Sequence, residues 1–190
     1  MKDTEYYQQV YRIDEENGRV IIDVAMDRYL DYFHEWDNSN YKRRDLHPDL
    51  AQFFDVCSHE IPLKRKLEIV FAIKNKTEDL KKEGMITKSY HNYYLANFQY
   101  IEREIRRKIR FAVLVAAIAV FIIAMYYVIA SPNNTIFAYR IIREGILIGG
   151  WVFMWEAFHI IAFQTLEPLK RRRELKRFLE AMLVFHPSED

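Results

Sequence analysis

Residues 111–130 read FAVLVAAIAVFIIAMYYVIA, and residues 145–165 read GILIGGWVFMWEAFHIIAFQT. The first stretch holds no charged residue, and the second holds only Glu156 and His159 as ionisable members. At ~1.5 Å of rise per residue, a helix of either length reaches about 30 Å, the thickness of a bilayer's hydrocarbon core. Helices of soluble proteins keep a polar face toward water, and 111–130 has none. The pair predicts a two-span transmembrane hairpin over 111–165, with the bilayer as its solvent.

The charges around it are uneven. Arg103, Arg106, Arg107, Lys108 and Arg110 precede the first stretch; Lys170, Arg171, Arg172, Arg173, Lys176 and Arg177 follow the second; only Arg140 and Arg143 lie between. Positive residues stay on the cytoplasmic side, so both termini are expected in the cytoplasm and 131–144 forms an external loop. A multi-pass protein of a bacterial inner membrane fits this pattern. The mean hydropathy of −0.24 hides it, because a polar front half dilutes an apolar back half. The net charge of +1 excludes no partner class. The N-terminus is too polar for a signal core, and the single Cys57 allows neither an intramolecular disulfide nor a thiolate zinc cage.

Ahead of the spans, the residues predict an α+β domain over 1–75. Tyr6, Val10, Tyr11 and Ile13 suggest a first strand within 4–13, Asn17-Gly18 supplies a hairpin turn, and RVIIDVA at 19–25 reads as its partner. Tyr29, Leu30, Phe33 and Trp36 suggest a short helix, and Pro48 opens a second one. KLEIVFAIK at 66–74 alternates like a strand returning to the sheet. A helical neck over 76–110 follows. Its stripe of Tyr94, Phe98, Ile101, Ile105 and Ile109 meets no Gly or Pro before residue 111, so one helix is expected to run from about Lys88 into the membrane. Residues 166–190 predict a cytoplasmic amphipathic helix whose apolar face, Leu175, Phe178, Leu179, Met182 and Leu183, lies on the membrane surface or packs on the neck helix.

Several residues could carry chemistry. Glu156 and His159 are three apart and share a helix face; an acid at the bilayer centre costs roughly 2.5–3.5 kcal/mol, which favours a pore-lining or bundle-interior position. Gly145, Gly149 and Gly150 are small residues spaced for close helix packing in lipid. Lys42, Arg43 and Arg44, and Lys64, Arg65 and Lys66, are candidate contacts for an anionic ligand; each cluster alone equally suits a solvated loop. No phosphate loop, zincin motif or nucleophile elbow is present, Ser58-His59-Glu60 are neighbours by chance, and no enzymatic activity, metal or cofactor is expected.

The order of parts carries a resemblance. Ile22-Asp23-Val24, Trp36-Asp37, Asp49-Leu50 with Phe53-Phe54, and Ile61-Pro62-Leu63 lead into Leu67-Glu68-Ile69, a long helix and two spans. This resembles the two-transmembrane effectors of bacterial anti-phage nucleotide-signalling operons, closest to the HalA-type effectors of the Hailong system. The resemblance implies a homo-oligomeric ion channel, taken as a tetramer. An oligonucleotide signal from a partner nucleotidyltransferase, of deoxyadenylate type, would open it and dissipate the membrane potential. The competing expectation is a non-conducting anchor whose soluble domain binds a protein partner.

Overall fold

The computed structural model describes residues 3–33, 46–74, 79–129 and 137–187. In chain order the elements are α1 (Asp3–Val10), β1 (Arg12–Ile13), β2 (Val20–Met26), a 3₁₀ turn (Tyr29–Tyr32), α2 (Pro48–Glu60), β3 (Leu67–Ile73), α3 (Leu80–Ile129), α4 (Phe137–His159), a π turn (Ile160–Gln164), α5 (Leu166–Leu179) and β4 (Met182–Pro187). They form two compact units: residues 1–99 with 172–190, and residues 100–171.

The first unit is built on a four-stranded sheet of order β1-β2-β3-β4. β1 runs antiparallel to β2, while β2, β3 and β4 are mutually parallel. The β1–β2 connection is set by Asp14, whose carboxylate accepts from the Glu16 amide (3.0 Å) and the Asn17 side chain (2.9 Å). Gly18 then takes φ = 63°, a left-handed value open to glycine without steric cost. Those same bonds hold the Asp14 carboxyl below its usual pKa, the Asn17 side chain contributing most. Residues 4–13 do not form the long strand their aromatic spacing suggests. Most of them are α1, with Tyr7 fully buried, and only Arg12 and Ile13 pair with β2.

Strand alternation decides which face is core. Val20, Ile22, Val24 and Met26 of β2 and Leu67, Ile69, Phe71 and Ile73 of β3 are all buried, each on every second residue. An aromatic cluster completes this core. Phe71 stacks on Phe185 of β4 (5.3 Å) and meets Tyr32 edge-on (5.9 Å); Phe54 of α2 packs on Tyr90 of α3 (6.3 Å) and Phe178 of α5 (5.8 Å). Tyr94 lies flat on Phe178 at 5.1 Å, and the Tyr90 hydroxyl donates to the Phe178 carbonyl at 2.9 Å. Burial raises the Tyr90 phenol well above its ordinary pKa.

The tail differs from its amphipathic expectation. α5 ends at Leu179, and Met182 and Leu183 belong to β4, an edge strand beside β3. Leu175 and Phe178 are buried, and Phe178 packs on Tyr94 of α3, so of the two placements expected for this face it takes the one on the neck helix. The expected continuous helix is present and starts earlier than Lys88: α3 is 50 residues long and includes Gly84.

The second unit contains the helices long and apolar enough to cross a membrane. Only 17% of the apolar window of either helix is buried, so both present unpartnered apolar surface, including Val113, Phe121, Val128, Trp151 and Trp155. α4 begins at Phe137, so 137–144 is helical and not the external loop expected there. At its other end the helix widens into the π turn, and Thr165 Oγ1 donates to the Ile160 carbonyl (2.9 Å).

Candidate functional site

In the soluble unit, a cavity of about 320 Å³ is lined by Arg19, Lys64, Arg65 and Lys66 from the edges of β2 and β3, and by Arg173, Lys176 and Arg177 from α5. Glu180 is the one carboxylate in its wall; Leu63 and Leu67 complete it. The local folding explains the convergence. β2 and β3 are parallel and in register from Val20↔Leu67, so the residues entering each strand lie side by side, and α5 lays residues 173, 176 and 177 on one face by helical spacing.

Some of these charges are engaged. Arg19 is 4.0 Å from Glu68, Lys176 is 3.6 Å from Glu180, and Arg65 Nε donates to the Tyr7 hydroxyl at 3.1 Å. Arg177 is 7% exposed; its Nη1 donates to the carbonyls of Ile61 (2.9 Å) and Pro62 (3.0 Å), and its Nη2 to the carbonyl (3.1 Å) and hydroxyl (3.2 Å) of Ser58. Its Nε is buried without a hydrogen-bond partner among the described residues. Burial lowers the Arg177 pKa and Glu174 opposes that shift. The side chains of Lys64, Lys66 and Arg173 have no hydrogen bond or ion pair among the described residues, and all three residues are exposed.

The cluster Lys64, Arg65 and Lys66 thus lies on one wall of a basic cavity. Lys42, Arg43 and Arg44 fall outside the described residues. Arg19, Arg173, Lys176 and Arg177 had no ligand role in the sequence reading. The 173/176/177 spacing is a legible helical face, but its charges also satisfy the rule for cytoplasmic flanks.

A larger cavity of about 770 Å³ is lined by Asp23, Asp27, Asp31, Asp49 and Lys74, among others. Arg12 holds Asp23 (2.5 Å) and Arg28 lies 3.6 Å from Asp31, so part of this charge is already compensated. No group of three metal-ligating side chains occurs among the described residues. Ser58, His59 and Glu60 point to separate partners: Arg177, the Asp55 carbonyl and the Tyr11 hydroxyl.

The hairpin of the second unit has a readable register. The Tyr139 hydroxyl donates to the Ile129 carbonyl, the Arg143 guanidinium lies over the Tyr126 ring (5.2 Å), and Lys108 Nζ donates to the Gln164 carbonyl (3.2 Å). A methyl group added at Gly150 would come 2.6 Å from Ile123 Cγ1 and 3.5 Å from the Ala119 carbonyl oxygen. Buried Ala112, Val115 and Ala119 on α3 and Gly150 and Ala157 on α4 keep the close faces small. Gly145 and Gly149 have nothing within 4 Å of such a methyl group, so of the three glycines only Gly150 packs within the chain.

The same register fixes depth. Interpolation between the contacts Ala119–Gly150 and Lys108–Gln164 sets Glu156 level with about Leu114 and His159 with about Ala112. Glu156 is therefore only ~6 Å, four residues of rise, inside Arg110. Along α3 it lies nearer the Arg110 end of the charge-free stretch 111–129 than its middle. Glu156 is exposed, with no hydrogen bond or ion pair among the described residues. His159 is half-buried, packs on Phe163 (5.5 Å) and has Nδ1 3.4 Å from Gln164 Nε2. The two side chains share a face without bonding one another.

No protein-family model, curated protein or solved structure matches this chain.

Proposed function

We propose that this protein is a homo-oligomeric membrane effector, an ion channel gated by a nucleotide-type signal in anti-phage defence, in a bacterial inner membrane with both termini cytoplasmic. The observation that carries the reading is α3. It is one uninterrupted helix whose Ile86, Tyr90 and Tyr94 are fixed in the soluble core and whose last 19 residues, 111–129, are charge-free. A ligand that favours one arrangement of the soluble unit biases the spans to the extent that its affinity differs between the two arrangements.

One hairpin encloses no hole, so conduction needs several copies; a tetramer is the working stoichiometry. Gly145 and Gly149, which have open space beside them, offer a small-residue surface for a neighbouring copy. In such a ring, Glu156 and His159 stand near the inner mouth, where a carboxylate selects cations.

The test uses the purified full chain in potassium-loaded liposomes with synthetic oligodeoxyadenylates as the probe. Addition is expected to raise potassium efflux, and Glu156→Ala to lower the cation-to-anion permeability ratio. No efflux from either protein with the probe present refutes the channel. The second reading, a non-conducting anchor or adaptor, is favoured by the outer face of the sheet, where Asp23 and Ala25 remain exposed. A monomer in mild detergent together with silent liposomes supports it.

A further inference from the structure

We infer that the basic cavity between the β2 and β3 edges and α5 is a multi-phosphate site: it takes a ligand bearing two or more phosphates and reads the phosphates, not a base. This names the ligand class that the proposed gating requires. It rests on the channel reading only for the consequence of binding, not for binding itself.

Four features of the cavity lead there. Among the described residues its wall carries seven cationic side chains, of which Arg19 and Lys176 lie beside Glu68 and Glu180 and five have no carboxylate partner in an ion pair. A single phosphate of charge −1 to −2 leaves most of that unbalanced, whereas a chain of phosphates matches it. The charges are also of two kinds. Arg177 is locked in place by four hydrogen bonds, with a buried Nε left over, and forms a rigid back wall. Lys64, Lys66 and Arg173 stand exposed at the mouth without an ion-pair partner among the described residues. A fixed positive charge behind exposed ammonium and guanidinium groups favours a phosphate chain, with Lys64, Lys66 and Arg173 free to donate to it.

Third, the volume of about 320 Å³ is at the low end for a ligand pocket, enough for a short phosphate chain. Fourth, no aromatic ring among the described residues lines the cavity, whose apolar residues are Leu63 and Leu67. Base recognition by stacking relies on aromatic platforms, so here the base contributes little. The acidic cavity beside Asp23 and Asp31 has the opposite charge and is no rival for this ligand.

The experiment measures binding to the full chain in mild detergent by calorimetry, with inorganic tripolyphosphate and monophosphate as probes. Tripolyphosphate is expected to bind at least tenfold more tightly than monophosphate and to weaken steeply with salt. The double variant Lys64→Gln/Arg173→Gln is expected to lose at least tenfold in tripolyphosphate affinity. Both residues are exposed, so the fold is retained, and unchanged circular dichroism checks it. Lys81→Gln/Lys88→Gln removes the same charge elsewhere on the surface and should change affinity less than twofold. Oligodeoxyadenylate and oligothymidylate of equal length are expected to bind within threefold of each other.

Equal binding of the two phosphate probes, equal losses in the two double variants, or strong preference for one base overturns the assignment. Lipid headgroups supply the same chemistry, so binding is repeated in nanodiscs with and without phosphatidylglycerol. Competition by that lipid which vanishes in Lys64→Gln/Arg173→Gln would put a headgroup in the cavity and overturn the soluble ligand. Tight tripolyphosphate binding with silent liposomes would leave this site standing and remove only the channel.

Discussion

Arg177 serves as the cap that α2 lacks. A helix leaves its last carbonyls without intrahelical partners, and α2 ends at Glu60 with Ile61 and Pro62 following, where Pro62 has no amide to offer. The guanidinium of Arg177 reaches from α5 to take the carbonyls of Ser58, Ile61 and Pro62 together with the Ser58 hydroxyl. A positive charge at a helix C-terminus is also favoured by the helix dipole. Removing it strands buried carbonyls, so Arg177→Met is expected to destabilise the soluble unit by about 3 kcal/mol. Lysine offers one ammonium in place of a planar fork, so Arg177→Lys recovers less than half. Hydrogen exchange of the amides in 55–61 checks this: protection should fall in the order wild type, lysine, methionine. Unchanged protection in the methionine variant would mean that the cap contributes nothing.

Within the elements, the glycines of α4 separate into two kinds. Gly150 lies where α4 meets Ala119 and Ile123, and even a methyl group forces Ile123 to move. Gly150→Leu is therefore expected to cost about 1–3 kcal/mol of hairpin packing, read as a lower thermal midpoint from the fluorescence of Trp151 and Trp155 in detergent. Gly145→Leu and Gly149→Leu meet open space and should leave that midpoint in place. If the proposed oligomer packs through that surface, the same two substitutions shift the protein to smaller species in size-exclusion chromatography. A drop in midpoint for all three variants alike would contradict this division. The depth of Glu156 also belongs to this scale. If these helices span a bilayer as proposed, a carboxylate near the end of the apolar layer reaches headgroup water at far lower cost than at the centre, without a buried partner.

At the scale of the whole molecule, the order of the chain is the main consequence of β4. Parallel neighbours require a crossover connection, usually a helix packed on the sheet. Here the connection between β3 and β4 is α3, the hairpin and α5 in sequence. Both arms of the membrane segment are thus tied into one hydrophobic core, α3 through Tyr90 and Tyr94 and α5 through Phe178. Ending the chain after Glu180 removes the six partners that β4 supplies to β3 and the Phe185 ring that stacks on Phe71. Protease digestion of that truncated protein in membranes is expected to degrade residues 1–99, which resist in the full chain. A tail lying on the bilayer would predict the reverse, an intact soluble unit after truncation.

The apolar stretches, the Asn17-Gly18 turn and the alternation of β3 were legible in the sequence because each obeys a local rule. Hydrocarbon demands that a segment satisfy its own backbone, and a turn or a pleat is set by adjacent residues. β4 was not legible: Met182-Leu183-Val184-Phe185 is a short apolar run that continues a helical stripe as readily as it forms an edge strand, and only pairing with β3 decides. The basic cavity joins Arg19, residues 64–66 and residues 173–177, positions brought together by parallel strands and α5. Likewise, the packing of Gly150 and the depth of Glu156 depend on how α3 and α4 align. Contiguous residues specified which helices are long and apolar enough to cross a membrane; contacts between distant residues decided where their charges stand, because position in space follows from packing and not from order along the chain.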